Sequence, residues 1–117
     1  MELRHVARLM VRCPVTYLST SARAAIVGEG VVINLSRDGV AIESRVPVQP
    51  GIELMCRVYL PDRPKPLLIP RATVRWSRAG EFGVTTIRMG DEERRRLDMF
   101  VMERVNNACF PPCGFSA

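Results

Sequence analysis

The sequence has few of the residue types on which several classes of function depend. Only 6% of its 117 residues are aromatic, and His5 is the only histidine. The chain contains no P-loop and no nucleophile elbow, and its carboxylates are scattered, so no group of side chains meets the requirements of an active site. Scarce aromatic residues also leave a single-stranded nucleic-acid binder without the stacking platforms it needs. We therefore expect a binding protein and not an enzyme.

Long apolar segments are missing as well. Uncharged runs, such as residues 14–22 and 30–36, are far shorter than the ~18 apolar residues of a membrane-spanning helix. The first residues are charged where a secretory leader would have an apolar stretch. We expect a cytoplasmic protein with no membrane insertion.

The cysteines do not have the spacing of a zinc site. Three residues separate Cys109 from Cys113, whereas zinc sites usually combine two closely spaced pairs, and Cys13 and Cys56 form no second pair. A structural disulfide is disfavoured in a reducing cytosol. We expect free thiols, no metal and no cofactor.

The net charge is +5 and the pI is near 9.6, which favours an anionic partner such as a nucleotide, nucleic acid, an acidic protein or a lipid surface. Only Lys65 among the 17 basic residues is a lysine. A guanidinium binds phosphate and the guanine edge through two hydrogen bonds and stacks on bases, which favours a nucleotide. Genome base composition explains the same bias equally well. The charge thus indicates an anion without choosing one.

The hydrophobic pattern predicts one domain made of six short strands and a helix, and strands with this spacing indicate a β-barrel. The predicted strands are residues 12–20, 24–35, 40–46, 52–60, 67–77 and 82–88. A bulge or bend is predicted at Gly28-Glu29-Gly30. Gly39 is predicted to take positive φ in a tight turn.

From Gly90 onward the spacing of apolar residues becomes helical. Asp91 is the predicted N-cap of a helix over residues 91–108 that covers one end of the barrel, and a short tail follows at 109–117. The apolar face is predicted to contain Leu97, Phe100, Val101, Val105 and Ala108. The run Arg94-Arg95-Arg96 is predicted to be solvated.

Two short motifs carry the functional prediction. Arg4 and Arg8 form an RxxxR pattern before the first strand, and Asn34, Ser36 and Gly39 form an NxSxxG pattern at the end of the second. An arginine fork can bond guanine O6 and N7, and Asn and Ser side chains can donate to or accept from a base. Because strand side chains alternate, Asn34 and Ser36 should point to the same side. Together the motifs predict a site for guanine and phosphate.

With Arg75-Trp76 and Gly80-Glu81-Phe82-Gly83-Val84 downstream, the chain resembles the PilZ domain family over nearly its whole length. The resemblance implies a mainly β fold: a six-stranded antiparallel β-barrel at residues 12–90, a mobile N-terminal arm at 1–11 and one C-terminal α-helix. It also implies a receptor for the bacterial second messenger cyclic di-GMP. Such a receptor would order its arm on binding and signal through an unidentified partner protein.

The resemblance also implies the site residues, which are Arg4, Arg8, Asn34, Ser36, Gly39 and Trp76. The two arginines would clamp phosphate and guanine, the Asn and Ser would read a guanine, and the glycine would shape the turn. Trp76 corresponds to a tryptophan that often lies near the ligand. Many members carry a second arginine beside the first, whereas Leu3 and His5 flank Arg4 here, which favours one ligand over a stacked pair.

Other interpretations of the same residues remain open. Residues 2–12 could form a basic amphipathic helix for a membrane surface or nucleic acid, although three turns are marginal in water. Asn34 to Ser36 could be an ordinary turn, and Trp76 could be a core residue because it alternates with Ala72 and Val74. The rival functions are a basic small-barrel binder of single-stranded nucleic acid and a PilZ-like adaptor that binds no nucleotide.

Overall fold

The computed structural model describes residues 8–19 and 26–109, with side chains placed as far as Val105. Within these residues six antiparallel strands close into a barrel in the order β1-β2-β3-β6-β5-β4, and one helix follows. The elements are β1 (Leu9–Ser19), β2 (Val27–Ser36), β3 (Gly39–Ser44), β4 (Glu53–Val58), β5 (Leu67–Arg78), β6 (Glu81–Arg88) and α1 (Asp91–Cys109). The predicted six-stranded antiparallel barrel with one C-terminal helix is confirmed.

Side chains that alternate inward along the strands fill the barrel. The Tyr17 ring meets Phe82 edge to face, with 5.3 Å between the ring centroids. The buried Tyr17 hydroxyl shares a 2.5 Å hydrogen bond with Ser44 Oγ, which satisfies its polar end. Phe100 of α1 is also buried. Three of the few aromatic residues therefore belong to the core and cannot serve as stacking platforms for a ligand.

The two cysteines with described side chains, Cys13 and Cys56, are free and buried. Burial raises the pKa of both thiols, that of Cys56 to about 12, so both stay protonated. Over the described side chains, no group of three or more His, Cys, Asp or Glu residues is placed to hold a metal ion. The side chain of Cys109 and all of Cys113 lie outside the described part.

β1 begins at Leu9, earlier than the predicted residue 12, so residues 9–11 belong to the strand and not to the predicted arm. Pairing with β2 explains the earlier start, because Leu9 pairs with Leu35 and Met10 with Asn34. The alternative of an amphipathic helix over residues 2–12 is wrong for residues 9–12, which are strand. Predictions for residues 1–7, including Arg4, and for residues 20–25 and the tail at 110–117 fall outside the described residues.

The bulge or bend predicted at Gly28-Glu29-Gly30 is wrong. Both glycines pair with β1 in regular register, Gly28 with Tyr17 and Gly30 with Val15. Gly28 packs against the Tyr17 ring, so its small size serves close packing and not a bend. The irregularity of β2 lies instead at Ile33, which is an extra residue relative to β3.

α1 packs on the barrel with four of the five predicted apolar residues, since Leu97, Phe100 and Val101 are buried and Val105 is partly buried, while the side chain of Ala108 lies outside the described part. Its first hydrogen bond runs from the Arg94 N–H to the Gly90 carbonyl at 2.8 Å, so Gly90 and not Asp91 is the N-cap. In the described ranges no helix has both the length and the apolar character needed to cross a membrane.

The prediction that all three arginines at 94–96 are solvated is wrong for Arg96. Its side chain is 3% exposed and donates two hydrogen bonds to Asp62 in the β4–β5 loop, from Nη2 to Oδ1 at 2.7 Å and from Nε to Oδ2 at 3.1 Å. Arg96 lies beside Leu97 at the edge of the buried face of α1, so its side chain passes under the loop. This ion pair joins the helix to the barrel.

Replacing Asp62 by Asn is expected to lower the free energy of unfolding by about 2 kcal/mol at neutral pH, because a buried guanidinium loses its counter-ion. In the wild type, hydrogen bonds from Arg96 lower the pKa of the Asp62 carboxyl below 3.8. The contribution is therefore complete above the ordinary pKa and is lost as the pH falls through the lowered one. Denaturant titrations from neutral pH to about pH 2 should show the difference shrinking.

The matched control is Asp98→Asn, since Asp98 pairs with the exposed Arg37 at 3.4 Å and should contribute less than about 1 kcal/mol. An Asp62→Asn deficit that stayed constant down to pH 2 would contradict the ion-pair assignment.

Candidate ligand-binding site

A row of residues runs across five neighbouring strands on one wall of the barrel. The ladder pairs are Met10 with Asn34, Asn34 with Ala41, Ala41 with Gly83, and Gly83 with Trp76. Paired residues on adjacent strands lie about 5 Å apart, so the row is a continuous strip of surface. It forms the floor of an open depression of about 380 Å³.

Five of the six predicted site residues line this depression, namely Arg8, Asn34, Ser36, Gly39 and Trp76. Arg4, the sixth, lies outside the described residues. The structure thus brings together the second arginine of RxxxR, the whole NxSxxG motif and the tryptophan, which come from three separate parts of the chain. Their binding to a ligand remains a prediction.

The bulge at Ile33 gives the NxSxxG motif its orientation. Val32 is fully buried, and strict alternation from it would turn Asn34 into the core. Because Ile33 is an extra residue relative to β3, Leu35 is the next buried residue, and Asn34 and Ser36 both face outward. The expectation that these two side chains share a side agrees with this geometry.

A second bulge, at Arg75, does the same for Trp76. Ala72 and Val74 are buried, but Val74 pairs with Val84 while Trp76 pairs with Gly83, so Arg75 is an extra residue of β5. Trp76 consequently faces the depression and is only half-buried. The alternative interpretation of Trp76 as a core residue is wrong, because it assumed unbroken alternation.

The Trp76 ring lies flat against the barrel wall and carries an arginine on its outer side. A Cβ on Gly83 would overlap the ring, so only glycine lets the indole lie this close to β6. The guanidinium carbon of Arg78 lies 4.6 Å from the ring centroid, within cation–π range. Gly83, the indole and the guanidinium therefore form a layered stack at one end of the depression.

At the other end, Ser36 closes the turn between β2 and β3. Its hydroxyl accepts from the Asp38 N–H and donates to the Gly39 carbonyl, both at 3.3 Å. These are long hydrogen bonds, so a ligand with better geometry can replace them. The prediction of a turn at this point and the prediction of a site residue are therefore compatible.

The prediction of positive φ at Gly39 is wrong, because among the described glycines only Gly51 and Gly80 have that conformation. Gly39 pairs with Thr85 on β6, and a Cβ there would overlap the Val84 carbonyl oxygen. The last position of NxSxxG is therefore glycine because two backbones approach closely, which sequence alone does not reveal.

Four charged residues that the sequence analysis did not assign to the site also line the depression, namely Asp38, Arg75, Arg78 and Glu81. Together with Arg8 they give this surface a net charge of +1, from three arginines and two carboxylates. Arg12 is not among them, and it forms a 3.0 Å ion pair with Glu43. In the sequence, the two arginines that flank Trp76, at positions 75 and 78, are the only indication that this segment binds an anion. The bulge at Arg75 that exposes the segment cannot be recognised from the sequence.

Comparison with known proteins assigns this architecture. A family model described as the PilZ domain matches residues 2–103, most of the chain. The chain belongs to the PilZ domain family. A search of curated protein sequences found no match.

Solved structures agree with this PilZ fold. The Bacillus subtilis inhibitor of motility, MotI/DgrA, superposes with a TM-score of 0.70 and 18% identity over 92% of this chain and 53% of its own, so this PilZ domain spans about half its length. The PilZ domain of CeSA from a cellulose-synthesizing bacterium superposes with a TM-score of 0.64 and 18% identity, over 82% of this chain and 95% of its own. At 18% identity, the structural similarity establishes the fold alone.

In this PilZ domain the NxSxxG turn is joined directly to α1. The Arg37 side chain pairs with Asp98 at 3.4 Å, and the Arg37 carbonyl accepts a 2.6 Å hydrogen bond from Arg94 Nη1. The Thr86 N–H donates to the Asp38 carbonyl at 2.8 Å, which holds the same turn against β6. A movement of the turn therefore acts on the helix through its side chain and its backbone.

Proposed function

We propose that this PilZ domain is a cytoplasmic receptor for cyclic di-GMP. The observation that carries the proposal is the convergence of Arg8, the NxSxxG motif and Trp76 on one depression. A cyclic dinucleotide presents two phosphates and two guanines. The depression offers guanidinium groups for the phosphates and guanine edges, polar side chains for base hydrogen bonds, and the Arg78 guanidinium on the Trp76 indole as a platform for stacking.

The arginines of the depression are available to a ligand to different degrees. Arg8 and Arg75 form no ion pair or hydrogen bond with the described residues, whereas Arg78 is engaged with Trp76 and lies 3.9 Å from Glu81. A free guanidinium beside a concave surface gains its full charge-assisted hydrogen bonds when phosphate arrives. Arg8 and Arg75 are therefore the described cations that we assign to phosphate or guanine.

Ligand binding is proposed to order the N-terminal arm. Arg8 stands directly before β1 and lines the depression, so the segment that carries Arg4 is joined to the chain at this point. An arginine from this arm would reach the ligand from the side opposite the barrel wall. The ligand would favour the closed arm only by the difference in its affinity for the closed and open states.

The signal is proposed to reach a partner protein through α1. The turn that carries Ser36 is joined to α1 through Arg37, so a ligand that shifts this turn perturbs the helix. On the outer side of the helix, Met99 and Met102 are 62% and 52% exposed. Methionine side chains adapt readily to a partner surface, which fits a helix that reports the state of the site.

The proposed function is tested by titrating the purified protein with cyclic di-GMP in a calorimeter at two salt concentrations, with GTP and a single-stranded oligonucleotide as controls. We expect saturable binding of one cyclic di-GMP per chain, with neither control binding comparably. Affinity for the oligonucleotide that grows with length and falls steeply with salt would instead support the nucleic-acid barrel. No binding of any of the three would support the adaptor.

A further inference from the structure

Of the two carboxylates in the depression, Glu81 lies beside the Arg78–Trp76 stack, and the proposed function gives it no role in binding the ligand. Glu81 opens β6 and lies on the same outward face as Gly83, two residues away along the strand. Its side chain is 34% exposed, and its only interaction with the described residues is with Arg78, whose Nε lies 3.9 Å from Oε1. This separation exceeds that of a hydrogen bond, so the carboxylate oxygens keep their acceptor capacity.

A carboxylate is an unexpected group in a site for an anionic ligand. It repels the phosphates and lowers the net charge of the depression, so it offsets part of the attraction that the arginines provide. Such a residue is compatible with binding when it accepts hydrogen bonds from donors of the ligand. In a guanine-containing dinucleotide, those donors are on the bases.

The donors of guanine lie side by side on its Watson–Crick edge, as the ring N1–H and the exocyclic N2 amine. A carboxylate has two acceptor oxygens and can take both in parallel hydrogen bonds. Adenine presents an N6 amine next to N1, which is itself an acceptor, so the same carboxylate gains one hydrogen bond and opposes a lone pair. A carboxylate that faces this edge therefore discriminates guanine from adenine.

Glu81 lies at the margin of the stack that Arg78 forms on Trp76, so a base stacked there would present an edge to it. Two residues along a strand span about 7 Å, so the Glu81 backbone lies about that far from the point where Trp76 covers Gly83. The Glu81 carboxylate already lies beside the Arg78 guanidinium, at the margin of the stack. A base that stacks on this platform meets an acidic side chain at its edge.

Resting on the proposed function, we propose that Glu81 is a specificity-determining residue. It accepts hydrogen bonds from N1–H and the N2 amine of one guanine of cyclic di-GMP, stacked on the Arg78–Trp76 platform. Asn34, about two strands away along the row, remains available for the other guanine. An Asn amide presents only one acceptor oxygen, so it does not provide the same discrimination.

Asp38 provides an internal comparison. It is the other carboxylate of the depression, but it lies in the turn between β2 and β3, away from the Trp76 stack. Asp38→Asn and Glu81→Gln remove the same charge from the same surface. Both variants should therefore raise the affinity for any cyclic dinucleotide through the loss of a negative charge, and a change in the preference for guanine over adenine in Glu81→Gln alone reports hydrogen bonding to the base.

The experiment measures the dissociation constants of cyclic di-GMP and cyclic di-AMP for the wild type, Glu81→Gln and Asp38→Asn by calorimetry. For Glu81→Gln we expect the preference for guanine to fall at least about tenfold, the size of one charge-assisted hydrogen bond. Part of that change should be tighter binding of cyclic di-AMP, since a Gln amide can donate to adenine N1 and accept from its N6 amine. Asp38→Asn should keep the wild-type preference.

Glu81→Asp tests the geometry without a change of charge. Its carboxylate is one methylene shorter, so we expect weaker binding of cyclic di-GMP with no gain for cyclic di-AMP. Thermal melting of each variant checks that the barrel is intact.

The possible outcomes separate the two proposals. A wild type that binds neither cyclic dinucleotide overturns the proposed function and this inference with it. A wild type that prefers cyclic di-GMP, together with a Glu81→Gln variant that keeps the same preference, overturns the inference and leaves the receptor standing. A wild type that binds both dinucleotides equally also overturns the inference, because the protein would then have no preference for guanine that Glu81 could determine.

Discussion

Replacing Arg8 by Ala is expected to weaken binding of cyclic di-GMP about 100-fold or more while leaving the melting temperature nearly unchanged. Arg8 is exposed, lines the depression and forms no ion pair or hydrogen bond with the described residues, so the fold does not depend on its side chain. A guanidinium that bonds phosphate or the guanine edge through two charge-assisted hydrogen bonds contributes roughly 3 kcal/mol or more. Each 1.4 kcal/mol is tenfold in affinity, and calorimetric titration measures the loss directly.

The matched control is Arg57→Ala. Arg57 is an exposed arginine of β4, the one strand that contributes no residue to the depression, and its removal changes the net charge by the same amount. Arg96 is unsuitable as a control because its buried ion pair with Asp62 supports the fold. Equal affinities of the Arg8 and Arg57 variants would show that Arg8 acts only through overall charge. Arg8 would then not be a residue of the proposed site.

The presence of six strands and of the C-terminal helix follows from features that a sequence displays locally, whereas the order of the strands in the barrel does not. Each strand of the barrel is a short run of alternating or β-branched residues, and glycines, prolines and polar residues separate one run from the next. The helical spacing of Leu97, Phe100 and Val101 is equally local. A barrel of antiparallel neighbours with one amphipathic helix is therefore accessible to prediction, and the boundaries err by a few residues where pairing extends a strand.

The orientation of the site was only partly predictable, because two bulges determine it. Alternation predicts that Trp76 joins Val74 in the core, yet the unpaired Arg75 turns it outward. The outward position of Asn34 depends in the same way on Ile33. A bulge exists only relative to the partner strand, so no single segment of sequence records it.

Close approach and long-range pairing account for the remaining errors. Gly39 has the sequence context of a turn glycine. A larger residue is excluded there because a Cβ would overlap the carbonyl oxygen of Val84, which belongs to a strand more than forty residues later in the chain. Arg96 looks like part of a solvated basic run, but Asp62 in a distant loop pairs with it. In both positions the partner that decides the residue's role is brought near only by the closed barrel.

Replacing Gly83 by Ala is expected to displace the indole of Trp76 and thereby reduce both stability and ligand binding. A Cβ at this position would overlap the ring, and a rigid indole pressed between a strand and the Arg78 guanidinium cannot shift without losing its packing. Overpacking of this kind costs about 1–3 kcal/mol. Trp76 is the only tryptophan, so its fluorescence reports the displacement directly, with an emission shift toward that of a solvated indole.

A double-mutant cycle separates displacement of the ring from a general effect of alanine in β6. Trp76→Ala removes the group that the new Cβ would meet, so Gly83→Ala should cost much less in the Trp76→Ala background than in the wild type. The difference, expected to exceed about 1 kcal/mol in denaturant unfolding, measures the overlap itself. Additive effects would mean that Gly83 does not support the ring. The layered stack of Gly83, Trp76 and Arg78 would then be contradicted, and the argument that a base stacks beside Glu81 would fail with it.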